Sequence, residues 1–122
     1  MYVKKYDLCD LKSYLDNKNI IIKDWFYNDK KYKIIKYEKK IINEDKYTLN
    51  YYRSIITDDN LDILSFSPPK SLNKDIFFLN YKEEDCIAEE FVEGTMINLF
   101  YDESLKKWQI ATKSSVGANI RY

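Results

Sequence analysis

The 122 residues balance 20 Lys+Arg against 20 Asp+Glu, and 45% of them are apolar. A chain of this length buries a modest core, so one compact intracellular domain is expected, and net neutrality excludes a general electrostatic attraction for nucleic acid. Histidine is absent, which excludes Ser–His and Cys–His catalysis, histidine acid–base chemistry and histidine metal ligation.

A charged fraction of 33% does not signal disorder here, because 12 tyrosines and 6 phenylalanines supply core material. Heavy use of isoleucine, lysine, asparagine and tyrosine reads as an A/T-rich genome. Cys9 and Cys86 stand far apart with no neighbouring ligand cluster, so neither a disulfide framework nor a zinc site is expected, and a reducing compartment is. The first residues, Met1 to Asp7, lack an apolar core of signal-peptide length. Ile20-Ile21-Ile22 and Ile76-Phe77-Phe78-Leu79 are the longest obvious apolar runs and fall far short of a membrane span. The expectation is a soluble protein without membrane contact.

In chain order, Asp7 to Asp16 reads as a helix, with Asp7 as cap and Leu8, Leu11 and Leu15 near helical spacing. The chain then turns β-rich. Lys31 to Tyr37 and Tyr47 to Thr57 are strand-like, Asp58-Asp59-Asn60 is a turn signal, and Leu61 to Phe66 returns as a strand. Pro68-Pro69 ends that strand, because proline supplies no ladder donor. Ser71 to Asp75 reads as a short helix or a loop. In a second hairpin, Glu89 to Tyr101 alternates, Asp102 to Lys107 turns, and Trp108, Ile110 and Thr112 return. Gly94 interrupts this pattern, as a bulge or a close backbone approach to a ligand would. The expected class is α+β, a single domain over residues 1–122 with an N-terminal helix and a strongly twisted antiparallel sheet of two hairpins.

Charge is unevenly distributed. Lys30 to Lys40 is basic, with tyrosines interleaved, and reads either as a phosphate-tracking face or as a solvated strand of alternating lysines. Glu83-Glu84-Asp85 and Glu89-Glu90 are acidic. Arg53, Lys70, the Glu93-Gly94-Thr95 opening of the second hairpin, and Lys113 fall at turns or strand ends, where two hairpins would gather them around one cleft. Arginine and lysine neutralise phosphate oxygens, a carboxylate holds a ribose hydroxyl or orients a metal-bound water, and a glycine admits a nucleotide to the backbone. Taken singly, Arg53 or Lys70 reads equally as a surface charge. A glycine-rich phosphate loop is excluded, since the chain has only 2 glycines.

Three stretches together resemble the phage-type RNA ligases, lysine-adenylating nucleotidyltransferases that repair broken RNA. They are Lys31-Tyr32-Lys33-Ile34-Ile35-Lys36-Tyr37; Tyr52-Arg53-Ser54-Ile55-Ile56 followed by Leu64 to Asn73; and Glu90-Phe91-Val92-Glu93-Gly94-Thr95 to Phe100, followed by Trp108 to Gly117. The third is also similar in wording to ligase-like proteins of large DNA viruses. The resemblance covers roughly residues 30–117 and implies the front part of an adenylation domain handling ATP, Mg2+ and RNA ends in the cytoplasm, the host's if the source is viral. In that family a lysine attacks the ATP α-phosphate to form a lysyl-adenylate, AMP passes to an RNA 5′-phosphate, and a 3′-hydroxyl displaces it. By matching position, the resemblance gives Arg53 and Lys70 phosphate contacts, Glu93 the ribose or metal-orienting carboxylate role, Gly94 the close approach, and Lys113 a further phosphate contact.

The pattern departs from the family in two respects. Phe91 stands where the nucleophilic lysine belongs, so either Lys70 replaces it from another strand or the protein does not adenylate. Phe91 itself reads as a buried strand residue or as an aromatic that stacks on adenine. The family's later carboxylate strand and paired-lysine strand are absent from these residues, so an incomplete adenylation domain is expected, with a protein partner or a separate C-terminal half to complete it. Three readings stand: a ligase-type enzyme, a catalytically inactive module of the same fold that binds nucleotide, RNA or protein, and a small structural α+β domain.

Overall fold

A computed structural model describes residues 19–38 and 51–117. The helix expected at Asp7–Asp16, Cys9 and the lysines at 39 and 40 lie outside these residues. Within them the fold is α+β and mostly antiparallel. Strands β1 (Ile20–Tyr27), β2 (Lys30–Tyr37), β3 (Ile55–Thr57) and β4 (Ile63–Phe66) form one sheet in that order. Helix α1 (Lys74–Asn80) and a 3-10 turn at Glu83–Asp85 follow, and β5 (Ile97–Asp102) and β6 (Lys107–Thr112) pair as a separate hairpin.

Strand β1 is a finding beyond the sequence reading, which took Ile20-Ile21-Ile22 only as an apolar run. It pairs with β2 along its whole length, from Ile20 opposite Tyr37 to Tyr27 opposite Lys30. The connection is the two-residue turn Asn28-Asp29, with φ of 51° and 57°. Positive φ at both central residues matches the right-handed twist of the strands, and Asn and Asp tolerate it better than most side chains. The first sheet is therefore a four-stranded meander rather than a single hairpin.

Alternation along β2 explains the two cores. Ile35 and Tyr37 face one way and join Ile20, Tyr52 and Ile55, with Leu61 and Ile63 packed alongside. Tyr32 faces the other way and joins Ile56, Phe100, Ala111 and Val116, with Trp25, Tyr27 and Leu64 alongside. The β5–β6 hairpin thus lies across the second face, and Tyr32 meets Phe100 edge-on at 6.4 Å between ring centroids.

Three expected boundaries move. Of the strand expected over Tyr47–Thr57, residues 47–50 lie outside the described residues; the chain turns at Tyr51–Arg53, where the Tyr37 N–H donates to the Tyr52 carbonyl (2.7 Å), and the ladder with β2 runs over Ile55–Thr57. The helix near Ser71 starts at Lys74, where the Asn73 side chain accepts from the Ile76 N–H, and it takes in the run Ile76 to Leu79. The strand expected over Glu89–Tyr101 begins only at Ile97. Alternation alone did not make a strand of Glu89 to Thr95, because no other strand is hydrogen-bonded to them.

Candidate functional site

Four chain segments meet at one corner of the molecule. The end of β2 is tied to Tyr52 by the bond just described, and the Ser67 N–H at the end of β4 donates to the Ser54 carbonyl (2.8 Å). The Ser54 hydroxyl donates to the Lys113 carbonyl (3.0 Å), bringing in the turn after β6. That turn is built by its own hydroxyls. Thr112 N–H donates to the Ser115 carbonyl (2.8 Å), the Thr112 and Ser115 hydroxyls bond each other (2.8 Å), and the Ser114 N–H donates to Thr112 Oγ1 (3.3 Å). Beyond it, the Trp25 indole N–H donates to the Val116 carbonyl (2.9 Å) and the Gly117 N–H to the Ile110 carbonyl (2.8 Å). The returning chain is thereby clamped between β1 and β6.

Two cations reach this corner by side-chain contact, and Arg53 adjoins it by chain position. Lys36, on β2, directs its Nζ to the Ser114 hydroxyl at 3.4 Å. Lys113 places its Nζ 5.5 Å over the Tyr37 ring. Arg53, half-buried, precedes Ser54 in the turn. Among the described residues no carboxylate forms an ion pair with Lys36 or Arg53. Cations and hydroxyls are the groups that hydrogen-bond phosphate oxygens, and at this corner Lys36 is the cation that touches a hydroxyl.

Lys30, Lys31 and Lys33 are committed elsewhere, so of the two readings of Lys30 to Lys40 these three do not serve a phosphate-tracking face. Lys31 and Lys33 pair with Asp24 and Asp59 at 3.1–3.4 Å. Hydrogen bonds from Lys31, then Lys33, hold the Asp59 carboxyl below its usual range, and the hydrogen bonds that Lys31 donates to Asp59 and Asp24 raise its ammonium. Lys30 is bound to the buried Asp102.

Of the residues singled out in the sequence, the corner holds Arg53 and Lys113. Lys70 is exposed, in the segment that follows Ser67 and Pro68-Pro69. Phe91 is 91% exposed, so it is neither a buried strand residue nor stacked within the fold. Glu93 is exposed, and a Cβ at Gly94 would meet nothing within 4 Å. No hydrogen bond or ion pair joins Lys70, Phe91, Glu93 or Gly94 to the corner. The glycine that the backbone requires is Gly117 (φ +99°), where a Cβ would run into the Tyr27 ring. Sequence reasoning missed Lys36 as a site residue. The available signal was the alternation that sets Lys36 on the same face of β2 as Tyr32 and Ile34.

Among the described residues no group of three carboxylates, cysteines or histidines is placed to hold a metal ion. No described helix is long and apolar enough to cross a membrane. Comparison with protein-family models, curated proteins and solved structures finds no match.

Proposed function

We propose that the chain is a ligase-like nucleotidyltransferase domain that binds the phosphates of ATP at the corner formed by Lys36, Arg53 and Lys113. The observation that carries this is Lys36 Nζ at 3.4 Å from the Ser114 hydroxyl of the hydroxyl-rich turn Thr112–Ser115, with Arg53 next in sequence to Ser54, whose hydroxyl donates to the Lys113 carbonyl, and with no carboxylate paired to Lys36 or Arg53 among the described residues. Arginine and lysine without a carboxylate partner have hydrogen-bonding capacity to give to phosphate oxygens. The resemblance to RNA ligases supports the same reading, since it independently selects Arg53 and Lys113.

Between the two forms of this reading, the binding module is better supported than the self-adenylating enzyme. Phe91 offers no amine to adenylate, and neither Lys70 nor Glu93 is bonded to the corner. Lys70 lies in an exposed segment. A lysine nucleophile must be partly neutral near pH 7, which takes burial or close positive charge. Magnesium, where it takes part, would arrive with the nucleotide and screen its phosphate charge.

The test has two arms. Thermal unfolding is followed with and without ATP; at 100 times its dissociation constant a ligand adds about 2.7 kcal/mol. Intact mass is then measured after incubation with ATP and magnesium. Stabilisation that is lost in Arg53→Ala, without a gain of one AMP, is the expected result. A covalent AMP on Lys70 would establish the enzyme instead. Absence of any shift with ATP or GTP would remove the nucleotide reading altogether.

A further inference from the structure

The start of β5 is fastened into the corner. Ile97 lies opposite Thr112, and the next residue, Asn98, donates from its side-chain amide to the Ser67 hydroxyl (3.2 Å). Ser67 donates its N–H to the Ser54 carbonyl (2.8 Å), and the Ser54 hydroxyl donates to the Lys113 carbonyl (3.0 Å). The chain that leads into β5 is thus anchored beside the turn whose Ser114 hydroxyl meets Lys36 Nζ at 3.4 Å.

That lead-in is acidic throughout. It carries Glu83, Glu84, Asp85, Glu89, Glu90 and Glu93, with no lysine or arginine between Lys82 and β5. Beyond Cys86 it stands off the fold. Ile87, Phe91 and Val92 are each more than 80% exposed, and no backbone bond or ion pair among the described residues holds Ile87 to Met96. The chain bends at Gly94, between Glu93 and β5, and a Cβ there would meet nothing within 4 Å. Glycine absorbs wide changes of φ and ψ, which suits a hinge.

We infer that this acidic lead-in is a strap that swings about Gly94 and closes on the corner, where its carboxylates take the place of nucleotide phosphates against Lys36. The inference rests on the phosphate-binding reading of the corner and adds to it an inhibitor carried by the same chain. Among the described residues Lys36 has no carboxylate partner, and Glu89, Glu90 and Glu93 have no cationic one. The tether is long enough. The stretch from Glu93 to Ile97 spans at most about 14 Å, whereas directly opposed residues such as Ile97 and Thr112 lie about 5 Å apart between Cα atoms. Glu90 and Glu89, further back, reach roughly 25 Å or more. A carboxylate and a phosphate oxygen are both charge-assisted acceptors for an ammonium, so strap and nucleotide exclude one another. A short tether gives the carboxylates an effective concentration on the order of millimolar, while each exposed contact is weak. The strap therefore raises the threshold for ATP without abolishing binding, and the more highly charged polyphosphate displaces it.

Two readouts on the full chain at low ionic strength test it. The first needs no nucleotide: the rate at which a glutamate-specific protease cuts after Glu89, Glu90 and Glu93. Cutting follows the open population, so Lys36→Ala, with an unchanged far-ultraviolet spectrum, should be cut about threefold faster than the parent chain or more. ATP should speed the parent towards the same rate. The second is calorimetry. Glu89→Gln, Glu90→Gln and Glu93→Gln together should tighten ATP binding about three- to tenfold, and the same three changes in Lys36→Ala should alter nothing. Glu83→Gln, Glu84→Gln and Asp85→Asn remove as many charges farther from the hinge and should leave affinity within about twofold, which separates contact from the general field. Equal cutting of Lys36→Ala and the parent overturns the strap whether or not ATP binds. ATP binding that the three glutamine changes do not tighten, or that the control changes tighten equally, overturns the strap and leaves the phosphate reading in place. If no chain binds ATP, the phosphate reading falls, and with it the inhibitory role of the strap.

Discussion

Lys30 and Asp102, 72 residues apart in sequence, meet with the lysine Nζ at 2.8 and 2.7 Å from the two carboxylate oxygens. The Asp102 side chain is 1% exposed and that of Lys30 16%. The same carboxylate accepts from the Tyr32 hydroxyl (2.8 Å), the Ser104 hydroxyl (2.6 Å) and the Ser104 and Leu105 N–H groups. One side chain therefore closes the β5–β6 turn and fastens the hairpin to β2. Removing one member of such a buried pair leaves the other charge uncompensated, at a cost of about 3–5 kcal/mol. Asp102→Ala should lower unfolding stability by about 3 kcal/mol in denaturant titration, and the double variant Lys30→Met/Asp102→Leu should recover part of that loss. Equal stability of Asp102→Ala and the parent protein would show that the network contributes nothing.

The same network sets a pH window. Burial alone would push the Asp102 carboxyl up, but hydrogen bonds from Lys30, Ser104, Tyr32 and the Leu105 N–H outweigh it and hold the group well below its ordinary value of 3.8. A carboxyl lowered on folding stabilises the protein above its unfolded value and loses that contribution as pH falls below it. Tyr32 moves the other way. Burial first, then its bond to the Asp102 carboxylate, raise the phenol well above its ordinary 10.0. Its contribution is present below that pH and is lost as pH rises beyond it. Stability measured against pH should therefore decline on both sides, below about pH 3.8 and above about pH 10. Tyr32→Phe should flatten the alkaline limb while leaving most of the acid limb; an unchanged alkaline limb would locate that titration elsewhere.

Much of the sheet was legible from the make-up of its strands. Lys31 to Tyr37 and Trp108 to Thr112 carry the β-branched and aromatic content of strands, and Asp58-Asp59-Asn60 marks its own turn, but β2 buries both Ile34 and Ile35, and β6 buries Gln109 and Ala111 while the alternating Trp108 and Ile110 face outward. Strand β1 was obscured because Ile20-Ile21-Ile22 gives way to charged Lys23-Asp24, although Asn28-Asp29 carried the turn signal. Glu89 to Thr95 has the pattern of a strand and lacks a hydrogen-bonded partner, which no local pattern reveals. The corner was half legible. Arg53 and Lys113 stood out by position, whereas Lys36 becomes a site residue only through Ser114, 78 residues later. The acid that governs the β2–β5 contact, Asp102, read simply as the start of a turn.

Gly117 tests the clamp beside the corner. Its φ of +99° disfavours any L side chain, and the Tyr27 ring occupies the place of a Cβ. Gly117→Ala should destabilise by about 2 kcal/mol, combining backbone strain with overpacking. Tyr27→Ala in the same chain removes the ring but not the strain, so the pair should be non-additive in a double-mutant cycle. Strict additivity would mean that the ring is not the obstacle.

At the Asn28-Asp29 turn, both residues occupy the left-handed region. That conformation costs an L-residue about 1–2 kcal/mol, less for Asn and Asp. Asp29→Gly removes the penalty at the second position, where glycine is the favoured hairpin residue, and should stabilise the chain by about 0.5 kcal/mol. Asp29→Val, which is β-branched, should destabilise it. Reversed signs in thermal unfolding would show that the turn does not govern pairing of β1 with β2.

The last prediction concerns what the corner holds. If Lys36, Arg53 and Lys113 contact phosphates, alanine at Arg53 or Lys36 should weaken ATP binding about tenfold each, the range of a lost charge-assisted hydrogen bond. Lys36→Arg should be better tolerated than Lys36→Ala, since a cation remains beside Ser114. The salt dependence separates a compact nucleotide from a strand. A single-stranded RNA tracked across the corner should show an affinity that falls with log salt at a slope of about 0.7 per phosphate neutralised, and each alanine substitution should reduce that slope by roughly one contact. ATP binding that is unchanged in both variants, measured by calorimetry on folded protein, would mean that these cations do not bind its phosphates and that the contact of Lys36 with Ser114 serves only the packing of the β6 turn against β2.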